Sequence, residues 1–151
     1  MIQRIQSLYL IAVSFFYLLY WFFGYEFYEK GFVFIEEYLG SLSIFFFSLT
    51  SFLPLLISII CFITIWLFKK RVMQINFSKL ALFLSILISI YTIFYFSLSL
   101  NDLINLMESK KMEVLLYAAI LNPFFCTYLI FLTIKCINSD DKLVRGEGLI
   151  R

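Results

Sequence analysis

LALFLSILISIYTIFYFSLSL, residues 80–100, is the stretch that decides the fold, because no charged side chain interrupts it. A bilayer core of about 30 Å is crossed by about 20 apolar residues in a helix that rises about 1.5 Å per residue. Residues 80–100 therefore predict a transmembrane helix.

Three further stretches have the same character: residues 5–23, 44–68 and 114–137. No Asp, Glu or Arg lies within any of the four, and Lys135 sits where the last one ends. Of the 151 residues 63% are hydrophobic and 15% charged, a balance that a small water-soluble domain could not bury. We therefore predict one all-α membrane domain, residues 1–151, built as a bundle of four transmembrane helices.

The distribution of Lys and Arg between the loops predicts the orientation, because cytoplasmic loops carry an excess of basic residues. Nine lie on one side: Arg4, Lys69, Lys70, Arg71, Lys79, Lys135, Lys142, Arg145 and Arg151. Only three, Lys30, Lys110 and Lys111, lie on the other. We expect a multi-pass protein of a bacterial inner membrane with both termini in the cytoplasm.

The segments between the spans carry weaker signals. The first outer loop, 24–43, is rich in strand-forming residues around Lys30-Gly31, so it predicts either a short β-hairpin or an amphipathic segment in the interface. The inner loop, 69–79, holds a basic cluster, and the second outer loop, 101–113, is expected to extend its flanking helices. The tail, 138–151, opens with helix-capping residues and predicts a short separate helix ending near Gly146.

Signals for catalysis are missing from the sequence. The chain has no histidine, which removes His-based acid–base chemistry and most catalytic zinc sites. Cys61, Cys126 and Cys136 have no C-x-x-C spacing and are expected to act as small apolar side chains. We predict a protein that is not an enzyme and has no cofactor or metal. The adjacent Glu36 and Glu37 support a weaker alternative, a membrane enzyme acting on lipid.

Mild polarity inside the spans suggests helix contacts. Ser85, Ser89, Thr92 and Ser99 fall near one face of the third span, as hydroxyl residues do where helices approach closely. Asn122-Pro123 interrupts the fourth span, because proline removes a backbone N–H and frees carbonyl groups. The candidate intramembrane polar notch comprises Ser58, Asn122, Pro123 and Thr127.

The two ends of the chain resemble a known family. The opening stretch MIQRIQSLYL, residues 1–10, and the closing stretch DDKLVR, residues 140–145, are similar to the family catalogued as domain of unknown function 4293. These are small four-span membrane proteins of Bacteroidota-type bacteria. The resemblance implies no activity or cofactor, and residues 146–150 depart from the charged finish expected of the family.

The resemblance implies a recognition surface where these two ends meet the basic inner loop. The candidate cytoplasmic interaction surface comprises Gln3, Arg4, Gln6, Lys69, Lys70, Arg71, Lys142 and Arg145. The functional hypothesis is a non-enzymatic accessory or structural subunit of a larger envelope complex. Its partners are membrane lipid and other membrane subunits or further copies of itself, not nucleic acid. The alternative is a small-solute or lipid transporter that uses the proline-containing second and fourth spans.

Overall fold

The structure, a computed structural model, describes residues 2–40, 42–106 and 109–148. Side chains are described for residues 5–32, 36, 40, 44, 47–68, 70–105 and 109–140. This part of the chain is entirely helical apart from its turns, and contains no strand. The elements in chain order are α1 (Ile2–Leu19), a π-helical turn (Tyr20–Gly24), α2 (Tyr25–Leu39), α3 (Leu42–Trp66), a 3-10 turn (Leu67–Lys69), α4 (Arg71–Leu106) and α5 (Lys110–Gly148).

Four helical runs are long and apolar enough to cross a membrane. They are Ile5–Phe32, Phe47–Trp66, Arg71–Asn105 and Lys110–Asp140. The predicted four-span, all-α membrane fold is therefore confirmed.

The helices form a closed ring in which α1 packs on α3, α3 on α4, α4 on α5, and α5 on α1. The α2 helix packs on α3 and α4. We refer to the end that carries the termini and the α3–α4 connection as the basic end. The opposite end, with the α2–α3 and α4–α5 connections, is the acidic end.

The bundle interior combines apolar side chains with buried hydroxyl and amide groups, and large apolar side chains cover the outer surface, as expected of a protein surrounded by lipid. Thr64, Ser85 and Thr92 have no exposed surface, whereas Phe52 and Trp66 are 73% and 75% exposed. Hydroxyl side chains suit the interior because a small polar group can hydrogen-bond across a close helix contact. The predicted hydroxyl face of the third span is buried along its length, from Ser85 to Ser99.

The hairpin predicted in the first outer loop is wrong, because residues 25–39 form the helix α2. Gly24, Phe27, Tyr28 and Gly31 are all buried, and this spacing of three and four places them on one helical face. A helix that continues from α1 satisfies its own backbone groups, which an isolated hairpin of two edge strands would leave open. The helix ends at Gly40, which has a φ of 54° and donates its N–H to the carbonyl of Glu36.

Two other predicted boundaries are also corrected. The tail does not form a separate helix, because α5 runs without interruption to Gly148. The inner loop is much shorter than residues 69–79, since α4 already begins at Arg71. In both places the polar residues lie on a helix that extends beyond the apolar span. Sequence polarity marked the end of the apolar stretch and not the end of the helix.

Candidate functional site

Four polar side chains from three helices meet at the basic end. We call Gln6, Arg71, Gln74 and Asp140 the terminal cluster. The side-chain amide of Gln6 donates a hydrogen bond of 2.5 Å to Oδ2 of Asp140. The guanidinium of Arg71 donates one of 3.2 Å to the backbone carbonyl of Asp140. Residues 134 positions apart in the sequence are thereby joined.

Gln6 and Asp140 of the terminal cluster each extend the buried stripe of their own helix. Gln6 precedes Leu10, Val13 and Tyr17 on α1, all of which are fully buried. Asp140 follows Ile137 by one helical turn. The periodicity that buries the apolar core therefore brings polar side chains inward where the spans end.

These side chains are largely removed from solvent. Gln6 is 3% exposed, Gln74 is 4% exposed and Asp140 is 8% exposed. Charged and amide groups with so little exposure need hydrogen-bond or charge partners, because their desolvation is otherwise costly.

The charges of the terminal cluster are not neutralised by an ion pair within the described part of the chain. Arg71 reaches the backbone of Asp140 and not its carboxylate. Gln74 donates its backbone N–H to Lys70, but its side-chain amide has no hydrogen bond to any described residue. The cluster thus retains one cation, one anion and one amide with unused bonding capacity.

The terminal cluster lines a groove of about 760 Å³. Its polar lining is the cluster together with Ser7, and its apolar walls include Leu8, Ile11, Trp66 and Phe68. Leu8, Ile11 and Trp66 are each more than half exposed, so the groove opens sideways between α1 and the end of α3. A concave apolar pocket with a few convergent polar groups is the usual form of a ligand site.

A second polar feature lies in the middle of the bundle, where hydroxyl groups join three helices. The Tyr17 hydroxyl lies 2.6 Å from the Ser85 hydroxyl, which lies 2.6 Å from the Thr127 hydroxyl. Ser89 lies 3.2 Å from Thr127 and donates to the Ser85 carbonyl. This hydroxyl network connects α1, α4 and α5 through the bundle axis, and we refer to it by that name below.

The π-helical turn begins a third polar cluster, nearer the acidic end. The hydroxyls of Tyr20, Tyr28 and Thr92 are within hydrogen-bonding distance of one another. The Tyr95 hydroxyl donates to the backbone carbonyl of Tyr28. Gly31 lies beneath Tyr95, where an added Cβ would be 2.8 Å from the phenolic oxygen. These contacts hold α2 against α4.

Of the residues of the predicted polar notch, Ser58 lies on α3, and Asn122, Pro123 and Thr127 lie on α5. Ser58 exchanges hydrogen bonds with Ser14 on α1. Asn122 donates to the backbone carbonyl of Phe16, at 3.0 Å. Thr127 joins the hydroxyl network and donates to the carbonyl of Pro123, which is buried inside the uninterrupted α5. The three polar side chains each bond a neighbouring helix, and none of them bonds another of the three.

A smaller apolar crevice of about 450 Å³ lies between the π-helical turn and α5. Asn122 lines it together with Tyr20, Gly24, Leu115 and Phe125. This is the only member of the predicted notch among its lining residues, so the crevice and the notch are different features.

The predicted cytoplasmic interaction surface is only partly described. Gln6 and Arg71 come together, but Gln6 is buried and therefore belongs to the interior and not to an exposed surface. Lys70 is exposed beside them. The side chains of Gln3, Arg4, Lys69, Lys142 and Arg145 lie outside the described residues.

Sequence reasoning missed Gln74 and the pairing of Asp140 with Gln6. Gln74 and Gln6 are amides at core positions of the helical repeat, which is a detectable signal for a buried polar contact. The pairing itself has no local signal, because it depends on how α1 meets α5.

No curated protein and no solved structure matches the chain. A family model described as "Domain of unknown function (DUF4293)" matches residues 2–147, a range that includes both Gln6 and Asp140. The chain therefore belongs to the DUF4293 family.

Proposed function

We propose that this chain is a non-enzymatic protein of a bacterial inner membrane, with both termini in the cytoplasm. In this proposal it serves as an accessory or structural subunit of a larger envelope complex. The observation that carries the proposal is the use of polar groups inside the spans. They bond across helices to one another or to a backbone carbonyl, so they hold the bundle together.

The basic end supports the proposed docking role. Lys70, Lys79 and Lys135 are exposed there, and Arg71 lines the groove. Cations on a surface steer acidic partners and set the orientation of a complex. We therefore assign the contact with a partner subunit to this end of the molecule.

The transporter alternative has less support. A substrate path through the second and fourth spans needs polar groups that converge, but Ser58 bonds α1 on one side while Thr127 bonds α4 on another. Moving either group toward a substrate would break an interhelical hydrogen bond.

Site-specific photocrosslinking in native membranes tests the proposed role. A photoreactive residue replacing Lys70 at the basic end is compared with one replacing Asn101, which is exposed near the acidic end. We expect a discrete heavier adduct from position 70 and none from position 101. Adducts from neither position, with only monomer recovered, would contradict an accessory-subunit role.

A further inference from the structure

The groove at the basic end lies at the height where lipid headgroups are found. Gln6 lies at the start of the apolar stretch 5–23, Trp66 near the end of the stretch 44–68, and Asp140 just beyond the stretch 114–137. Arg71 is the first residue of α4, directly after the turn that follows Trp66. A groove lined by the ends of four spans straddles the boundary between the apolar layer and the headgroups.

The walls of the groove match the body of a lipid. Leu8 and Ile11 on α1 face Ile65, Trp66 and Phe68 across the groove. Because Leu8 and Trp66 are 63% and 75% exposed, this apolar lining is continuous with the outer surface of the bundle. An acyl chain in the surrounding bilayer can therefore enter without crossing a polar barrier.

The polar floor of the groove contains both signs of charge. Arg71 supplies a guanidinium with one hydrogen bond to the described protein, and guanidinium groups bind phosphate through paired N–H donors. Asp140 supplies a carboxylate that is 8% exposed and has no ion-pair partner among the described side chains. Gln74, 4% exposed, adds an amide without a hydrogen bond of its own in the described chain.

From this arrangement we infer that the groove binds a phospholipid with a primary-ammonium headgroup, phosphatidylethanolamine. Arg71 and Gln74 take the phosphate, Asp140 takes the ammonium, and an acyl chain lies along Leu8, Ile11 and Trp66. A purely anionic lipid would meet the Asp140 carboxylate with no cation to offer it. A choline headgroup offers a cation that cannot donate a hydrogen bond. The inference does not rest on the proposed accessory role, since the groove is the same whichever partner the protein has.

Fluorescence quenching of Trp66 measures occupancy of the groove directly. The chain has two tryptophans, so the Trp21→Phe variant leaves Trp66 as the only indole. The full-length variant in detergent is titrated with lipids brominated in their acyl chains, which differ only in headgroup: ethanolamine, choline or glycerol. We expect half-maximal quenching by phosphatidylethanolamine at roughly tenfold lower concentration, as one additional charge-assisted hydrogen bond implies.

Substitutions separate the two halves of the headgroup site. Asp140→Asn retains an oxygen that accepts the Gln6 hydrogen bond but removes the negative charge, so the preference for ethanolamine should disappear. Arg71→Gln should weaken quenching by all three lipids. Lys135→Gln is the control, because Lys135 is exposed at the same end but does not line the groove.

The comparison of the three headgroups in the Trp21→Phe variant, whose groove residues are all unchanged, can overturn the inference by itself. Equal quenching by the three lipids would show a nonspecific acyl-chain groove, and tighter binding of the glycerol headgroup would show an anionic-lipid site. Either result, or an ethanolamine preference that survives Asp140→Asn, rejects the assignment.

Discussion

Asp140 is a carboxylate with 8% of its surface exposed, and the Gln6 amide is its only side-chain hydrogen-bond partner in the described chain. Replacing Gln6 with Leu leaves this buried oxygen unsatisfied, which costs about 1–3 kcal/mol. We therefore expect Gln6→Leu to lower the free energy of unfolding, measured by denaturant titration in mixed micelles. Asn138→Leu, at an exposed position on α5 near Asp140, should change it by less than about 0.5 kcal/mol.

A double-mutant cycle distinguishes loss of the hydrogen bond from loss of packing. Replacing both partners, Gln6→Leu with Asp140→Leu, removes the unsatisfied group, so the pair should cost less than the sum of the single substitutions. Strictly additive effects would show that Gln6 and Asp140 do not interact in the folded protein.

Tyr17 connects α1 to the hydroxyl network through a single phenolic oxygen. Tyr17→Phe keeps the ring in the core and removes that oxygen, while Ser85 retains Thr127. Because interhelical hydrogen bonds in membranes average about 0.6 kcal/mol, we expect a loss of about 0.5–1.5 kcal/mol in the unfolding free energy. Tyr128→Phe, at a ring that is 59% exposed, is the matched control and should have no measurable effect.

The α2 helix packs close to α4 at Gly31, where the Tyr95 side chain sets the distance between the helices. An alanine in a helix is usually about 1 kcal/mol more favourable than glycine. Gly31→Ala should reverse that sign, because its Cβ would be 2.8 Å from the Tyr95 oxygen and 3.3 Å from Leu103. We expect the thermal unfolding midpoint of the detergent-solubilised protein to fall.

Removing the Tyr95 phenolic oxygen, the atom nearest to the added Cβ, tests this explanation. Adding Tyr95→Phe to Gly31→Ala should recover part of the loss, because the phenolic oxygen is gone, although Cε1 still lies 3.1 Å from the new Cβ. A Gly31→Ala variant that is more stable than the parent would mean that α2 does not pack on Tyr95 in this way.

The helices also show how far sequence reasoning reaches. Long uncharged runs predicted the four spans, and hydroxyl periodicity predicted the buried face from Ser85 to Ser99, because both signals repeat locally. The α2 helix was missed because its β-branched and aromatic residues suit a strand when considered alone. Burial against Tyr95 favours a helix over strands in this segment, and contacts between α2 and α4 leave no local pattern in the sequence.

The terminal cluster could not be predicted from the sequence, because contacts between residues far apart in the chain also leave no local pattern. Gln6 and Asp140 each mark the end of a buried stripe, but only the ring order, with α1 beside α5, brings them together. The sequence suggests that Asp140 lies in the first turn of a separate tail helix, because acids suit the positive end of a helix dipole. The uninterrupted α5 leaves no helix start there to cap.

The predicted loops on the two sides of the membrane differ in charge, and this asymmetry underlies the proposed orientation. By sequence, nine Lys and Arg belong to the predicted cytoplasmic side and three to the other, and basic segments are retained in the cytoplasm during insertion. A cysteine replacing Lys70 should therefore be inaccessible to a membrane-impermeant maleimide in intact spheroplasts and react only after lysis. A cysteine replacing Asn101, exposed near the other end, should react in intact spheroplasts.

Native Cys61 and Cys126 are buried, so only the half-buried Cys136 needs replacement by Ser to remove background labelling. Reaction at position 70 before lysis would invert the orientation and move the proposed partner contact outside the cell.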